Sequence, residues 1–447
     1  MTTARPAGRL GVWAAAALVI SHTIAVGIFL TPAELIGALA SPALTFGVWI
    51  AGSLIVLAGA CTFGELASRY PQAGGLYVYL RAAWGPRLAF LYGWQSLLIM
   101  DPGVIAALAA GASEYATLVW PGAAGAKRFI AVAIIWVMAA LNMAGLTFGV
   151  RVFGVLTVLK LCTLFGVVAV ALVTGAGNWS HFTPRMGGRA GAPPLGEAIA
   201  LGFISVFFSF GGFWETSRIA GEVRDPRRTL PRALVGGVLA VTAIYLMTTL
   251  AFIYLVPPAA TTGAAELARL AGEALMGAPG PVVLASVVLL SVVASAMAMM
   301  MVSPRLYEAM GRDGLFPRAV AIRSRATGAP VRATALLAAL STVFVLLGTF
   351  QQIVAFFFVP ALAFIALSAA ALFAVRRRGG GAPVYLAPGY PFTPALFVLL
   401  VSAIVLMVGI SRPLQALVGV LLVVAGVAAS ELPGMRAARA ASSEESA

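Results

Sequence analysis

The chain has 447 residues, 61% of them apolar and only 10% charged, where a soluble domain carries about 25% charged and 45–50% apolar residues. A mean hydropathy of +1.00 over the whole length excludes a soluble enzyme, a disordered chain and a disulfide scaffold, and identifies a polytopic, all-α integral membrane protein. The net charge of +14 resembles that of a nucleic-acid binder, but the placement of the basic residues gives it another origin. Cys61 and Cys162 both lie in apolar runs, and the distant His22 and His181 build no zinc site. No metal and no cofactor are expected.

A helix needs about 20 apolar residues to cross a hydrocarbon core of roughly 30 Å. Twelve such runs occur, at about 11–39, 43–67, 88–112, 129–146, 152–174, 195–219, 233–256, 281–302, 333–350, 353–375, 394–410 and 413–430. The first is too long for a signal peptide and lacks a convincing cleavage site, so it reads as a retained span. With the N-terminus inside, 22 Lys and Arg fall on the inner side and 6 on the outer, Lys160 being within a span. That bias places both termini in the cytoplasm and explains the basic charge without nucleic acid. The polar tail 431–447 is expected to be a disordered cytoplasmic segment.

Two spans stand out. The first covers 29 residues, about 43 Å of helix at 1.5 Å per residue, with Ala25-Val26-Gly27-Ile28-Phe29 near its middle. The sixth holds Ser209-Phe210-Gly211-Gly212-Phe213. Glycine weakens a helix by about 1 kcal/mol relative to alanine, so both are predicted to break there. Gly27 and Gly212 are 185 residues apart, matching the offset between successive spans of two halves. An odd number of crossings flips the second copy, so 1–175 and 195–378 read as inverted repeats of five spans, with 379–430 adding two. Interrupted spans at matching places in inverted halves point to a transporter's binding site. Close helix packing by small residues accounts for one break better than for a matched pair.

Ile24–Pro32 (IAVGIFLTP), Glu65–Tyr79 (ELASRYPQAGGLYVY), Phe208–Pro231 (FSFGGFWETSRIAGEVRDPRRTLP) and Ser303–Pro317 (SPRLYEAMGRDGLFP) resemble the amino acid–polyamine–organocation superfamily. The likeness is greatest to its L-amino-acid transporter branch and bacterial relatives, and it covers roughly residues 10–430. It implies a LeuT-like fold that carries a zwitterionic amino acid between broken helices 1 and 6. The start of a second half-helix suits a carboxylate, and the carbonyls that end a first half suit an ammonium. Here the donors would be the amides of Val26, Gly27 and Ile28, and the acceptors the carbonyls of Phe208, Ser209 and Phe210, with Ala25 and Gly211 alongside. Where the family has a small residue between two glycines, this chain has Ala25 and Val26 before Gly27. The substrate therefore sits differently or is small. By the same likeness Phe208 is the outer gate.

Lys160 lies nine residues into the fifth span, where a charge is costly and by default functional. By resemblance it bridges helices 1 and 8, near Ser21, His22, Ser291 and Ser295, either as a permanently charged tether or as a proton switch. Asp101, followed by Pro102, reads as a polar group of the outer vestibule, a selector for cations or the partner of a neighbouring cation. Glu34 is an extracellular gate or a snorkelling carboxylate. Glu215 is a specificity group or a helix-packing hydrogen bonder, and His22 a hydrogen-bonded core residue.

No Gly-rich phosphate loop is present, so ATP is not the drive. The outer loop 113–128 has no cysteine, so no covalent heavy-chain subunit is expected. The partners that remain are the small-molecule substrate, the bilayer and, if coupled, protons. The function expected is amino-acid exchange or proton symport by alternating access. A polyamine or organic-cation carrier, or a substrate-sensing receptor, is the alternative. The polar groups are too dispersed for an enzyme.

Overall fold

The computed structural model describes residues 10–431, apart from 26, 184–193, 262, 325, 349 and 412. Val26 and the expected tail beyond Glu431 thus lie outside the described residues. Sixteen α-helices follow in chain order: α1 Val12–Thr23, α2 Gly27–Leu39, α3 Pro42–Arg69, α4 Leu76–Trp84, α5 Pro86–Gln95, α6 Asp101–Val119, α7 Lys127–Met143, α8 Leu146–Thr174, α9 Leu195–Ser209, α10 Pro226–Leu255, α11 Ala264–Met276, α12 Gly280–Arg312, α13 Val331–Leu347, α14 Phe350–Arg377, α15 Phe392–Ser411 and α16 Pro413–Ser430. Each of the twelve expected runs carries helix, the first and sixth with an interruption. Among the described residues, eight stretches are long and apolar enough to cross a bilayer, and the bent pair α1–α2, taken as one span, makes a ninth. α7 and α13, at 17 residues each, are shorter.

The outer surface fits lipid. Trp13, Val155, Val173, Leu399, Leu406 and Ile410 are exposed, and a soluble monomer rarely leaves so much contiguous apolar surface open. Some helices outrun their hydrophobic stretch. α10 begins at Pro226, where a proline suits the first helical turn, and α12 continues to Arg312. α4 and α11 were not expected, because both are too short for a spanning run. The third span is one 34-residue stretch, Pro86–Val119, with a π-helical turn at Ser96–Met100 just before Pro102. Such turns accommodate a residue that breaks the regular ladder.

The two broken spans run in opposite directions. Leu10, before α1, pairs with the segment that ends the sixth span: its N–H donates to Glu222 O at 3.1 Å, and Arg224 N–H to Leu10 O at 2.9 Å. α1 packs against 213–222 and α2 against α9, so the halves lie side by side with their breaks facing. α3, α10 and α12 surround them.

One buried ion cluster locks α3 to α14 and the loop after it. Glu65 is fully buried and accepts from Arg69 Nε at 2.9 Å, Arg376 Nε at 2.9 Å and the Ala387 amide at 2.7 Å. Deleting one partner of a buried pair leaves the others uncompensated, at a cost of roughly 3–5 kcal/mol. Glu65→Ala is therefore expected to lower the thermal midpoint of the purified protein markedly. An unchanged melting curve would refute that role.

Candidate substrate site

The first break follows from local chemistry. Ala25 N–H turns back to Thr23 O at 2.9 Å, ending α1, and α2 resumes at Gly27 with its axis bent by 49°. The first-turn amides of a helix have no intrahelical acceptor, which leaves those of Gly27 and Ile28 without a partner inside α2. In the sixth span, Gly211 N–H donates to Phe208 O at 3.0 Å and closes α9. Gly212 then takes φ +97°, a conformation free of cost only for glycine. Beyond it Phe213–Glu222 is a tight 3-10 segment, where a continuing α-helix was expected.

The breaks touch. A Cβ at Gly27 would lie 2.6 Å from Ser209 Oγ and 2.8 Å from Ser209 Cα, so only glycine permits this approach. Thr31 Oγ1 is 2.6 Å from Ser209 Oγ. The Tyr245 hydroxyl is shared between the carbonyls of Ser209 and Thr23, at 2.6 Å and 2.9 Å, and so fastens one break to the other.

Beside this contact lies a cavity of about 120 Å³. Ala25, Gly27, Phe208, Ser209 and Gly211 line it, together with the polar residues His22, Thr23, Glu215 and Ser295. Most of the remaining wall is apolar: Met100, Val104, Leu108, Met299, Phe357 and Leu362 are among its residues. Phe208 stands next to Phe358, ring centroids 6.1 Å apart, and both face the cavity. The side chains of Phe210 and Ile28 are buried elsewhere; the Phe210 ring packs on Trp49 and Tyr245. The Phe208 and Ser209 carbonyls each already accept one hydrogen bond, and a carbonyl has room for two.

Lys160 is fully buried, with Nζ donating to Ser295 Oγ at 2.9 Å and Ser21 O at 3.2 Å. Ser295 Oγ also lies 2.9 Å from Ile24 O, so α8 and α12 grip the end of α1 together. Ser291 contributes its carbonyl to Ser295, whereas its hydroxyl has no partner among the described residues. His22 is buried, with Nδ1 2.7 Å from Leu18 O. Glu34 is exposed and accepts from Ser205 at 2.6 Å, a clip between α2 and α9 that stands away from the cavity.

The vestibule reading of Asp101 is overturned. Asp101 is fully buried, and Arg218 Nη1 donates to its Oδ2 at 2.7 Å and Tyr307 Oη at 2.6 Å. Arg218, counted from sequence with the inner loops, is itself fully buried. It reaches the Tyr92 hydroxyl at 2.8 Å, and its Nε lies 2.6 Å from Glu215 Oε2. Sequence reasoning missed Arg218 and Tyr245. The available signal for Arg218 was its place at the edge of a span, three residues after Glu215; for Tyr245 there was none.

Residues 10–428 match the amino acid permease family along almost the whole chain. The chain belongs to that family, within the amino acid–polyamine–organocation superfamily. This permease is 25% identical to the serine/threonine exchanger SteT of Bacillus subtilis (strain 168), over 87% of its own length and 88% of the relative's. It is also 25% identical to the b(0,+)-type amino acid transporter 1 of Mus musculus, with 90% and 83% covered. With the Asc-type amino acid transporter 1 of the same species it shares 27%, over 60% and 52%. The permease is therefore a multi-pass membrane transporter and not an enzyme.

Gly27→Ala places a methyl group against the backbone of Ser209, which has no flexible end to move aside. Overpacking of this kind costs about 1–3 kcal/mol. The variant is expected to lose substrate uptake by at least tenfold while still reaching the membrane; uptake at the unaltered rate would show that the breaks need not touch.

Proposed function

We propose that this permease is a secondary transporter that moves amino acids across the cytoplasmic membrane by alternating access, with both termini cytoplasmic. In this reading it has twelve spans, 1–175 and 195–378 being inverted repeats and 379–430 two further spans. The carrying observation is the pair of antiparallel broken spans whose breaks meet beside a cavity. The substrate carboxylate faces the first-turn amides of Gly27 and Ile28, and the ammonium faces the remaining lone pairs on the Phe208 and Ser209 carbonyls. Phe208 closes over the ligand. The apolar wall from Met100 to Leu362 takes an uncharged side chain.

A cationic substrate is the weaker reading, because neither carboxylate near the cavity is free: Asp101 and Glu215 both lie against Arg218. Exchange is favoured by the likeness to a relative named an exchanger. Lys160, which has no carboxylate within 4.0 Å among the described residues, is the tether that holds α1 to α8 and α12. Ligand moves the carrier because it binds the closed state more tightly than the open one. No heavy-chain bond of the cysteine type is needed.

The test is uptake of labelled L-amino acids and putrescine into proteoliposomes, empty or preloaded, with and without an inward proton gradient. Uptake of neutral amino acids that preloading raises at least tenfold, and that amino-acid methyl esters do not compete away, is the expected result. Uptake of putrescine in preference, or full competition by the esters, would overturn carboxylate recognition.

A further inference from the structure

The cluster around Arg218 holds two carboxylates on one guanidinium, all three side chains buried in protein. Asp101 and Arg218 are 0% exposed and Glu215 1%. Lys160 is not part of it, since that ammonium is spent on Ser21 and Ser295. With both carboxylates ionised the cluster carries one negative charge in excess, and an uncompensated charge in a buried site is strongly unfavourable.

The two acids are not equivalent. Asp101 receives aligned hydrogen bonds from Arg218 and Tyr307 and does not line the cavity. Glu215 lines it. Its Oε1 accepts from Trp214 Nε1 at 2.7 Å. Its Oε2 lies 2.6 Å from Arg218 Nε, yet the N–H does not point at it, and neither atom has a hydrogen-bond partner among the described residues. Asp101 Oδ1 also lacks a hydrogen-bond partner among the described residues. But Glu215 accepts one hydrogen bond where Asp101 accepts two, and only Glu215 borders the cavity, so Glu215 is the member of the pair that gains most from a proton.

We propose that Glu215 is a proton-binding site of this permease, loaded from the side of the cavity it borders, with Asp101 and Arg218 forming a neutral pair beneath it once the proton is bound. The step is an acid–base transfer alone: a water in the cavity gives up a proton, and the Glu215 carboxylate takes it. A substrate ammonium or a metal cation would have to stand against the Arg218 guanidinium, whereas a proton is bonded to the oxygen itself. Glu215 lies three residues past Gly212, on the 3-10 half of the broken span. Arg218 lies on the same half, so the charge of Glu215 sets how much of the guanidinium is left to hold that half to Tyr92 on α5, Asp101 on α6 and Ser303 on α12.

The groups around Glu215 bear on its charge. Asp101 on α6 and Tyr92 on α5 share Arg218 with it, Tyr307 on α12 reaches Asp101, and His22 on α1 lines the same cavity, whereas Tyr79 on α4 faces Ser217 and Tyr245 on α10 faces the carbonyls of Thr23 and Ser209. Cys61 and Glu65 on α3 face Tyr385 and the arginines Arg69 and Arg376 instead.

This inference rests on the transport reading for its role but not for its site, and the test separates the two. In the first arm, infrared difference spectra between acid and alkaline buffers are recorded on the purified protein without substrate. A protonated-carboxyl C=O band is expected, absent in Glu215→Gln and retained in Asp101→Asn. In the second arm, exchange of labelled neutral amino acids is followed against pH in proteoliposomes. The expected dependence approaches tenfold per pH unit across the transition, flattens in Glu215→Gln, and moves to a different pH in Glu215→Asp, which keeps the carboxyl and shortens its reach. A band that survives Glu215→Gln, or a pH profile the same in Glu215→Asp as in the parent, overturns the proposal. The infrared arm decides the site even if no amino acid is exchanged, an outcome that would count against the transport reading alone.

Discussion

The centre of the molecule depends on how closely two interrupted spans approach each other, Gly27 against Ser209. A membrane helix satisfies its own backbone, and lipid offers no partner for a broken one. Each break is therefore tolerable only where protein or a cavity meets the freed groups. Here each break meets the other. Tyr245 takes a carbonyl from both, Ser295 takes one from α1, and Lys160 holds the same end of α1 from α8. Ala25, Gly27, Phe208, Ser209 and Gly211, on either side of the breaks, border the cavity.

Charge is handled separately from substrate recognition. The backbone of the breaks carries no net charge and discriminates by dipole direction alone. The formal charges stand one layer away: Lys160 on carbonyls and a hydroxyl, Arg218 between Asp101 and Glu215. Buried ion pairs contribute little net stability, but they set which arrangements of neighbouring helices are permitted. A span half that hangs on a single arginine is suited to being released and recaptured.

The spans and the two breaks were legible because membrane crossing imposes a length and composition that a single sequence displays, and because the glycine of each break lies inside an apolar run at the corresponding place of its half. Gly27 and Gly212 lie where the sequence placed the interruptions, and Lys160 reaches the Ser21 carbonyl and the Ser295 hydroxyl that the family resemblance implied. The partners of Asp101 were not legible. Arg218 comes from a segment 117 residues away, and an arginine at a span edge looks the same in sequence whether it snorkels or turns inward. The direction in which a side chain leaves a 3-10 segment differs from that on an α-helix, so the inward turn could not be read from α-helical spacing. Tyr245 was invisible for another reason: nothing in a polar-tipped aromatic on an apolar helix says that its hydroxyl joins two carbonyls.

The central claim is that the paired breaks are the substrate site, and the most direct measurement is a structure of the protein with L-selenomethionine bound, read by the anomalous signal of selenium. The account predicts selenium against Phe357 and Leu362, with the ligand carboxylate within hydrogen-bond reach of the Gly27 and Ile28 amides. Selenium outside the cavity, or a carboxylate bound at Arg218, would contradict it.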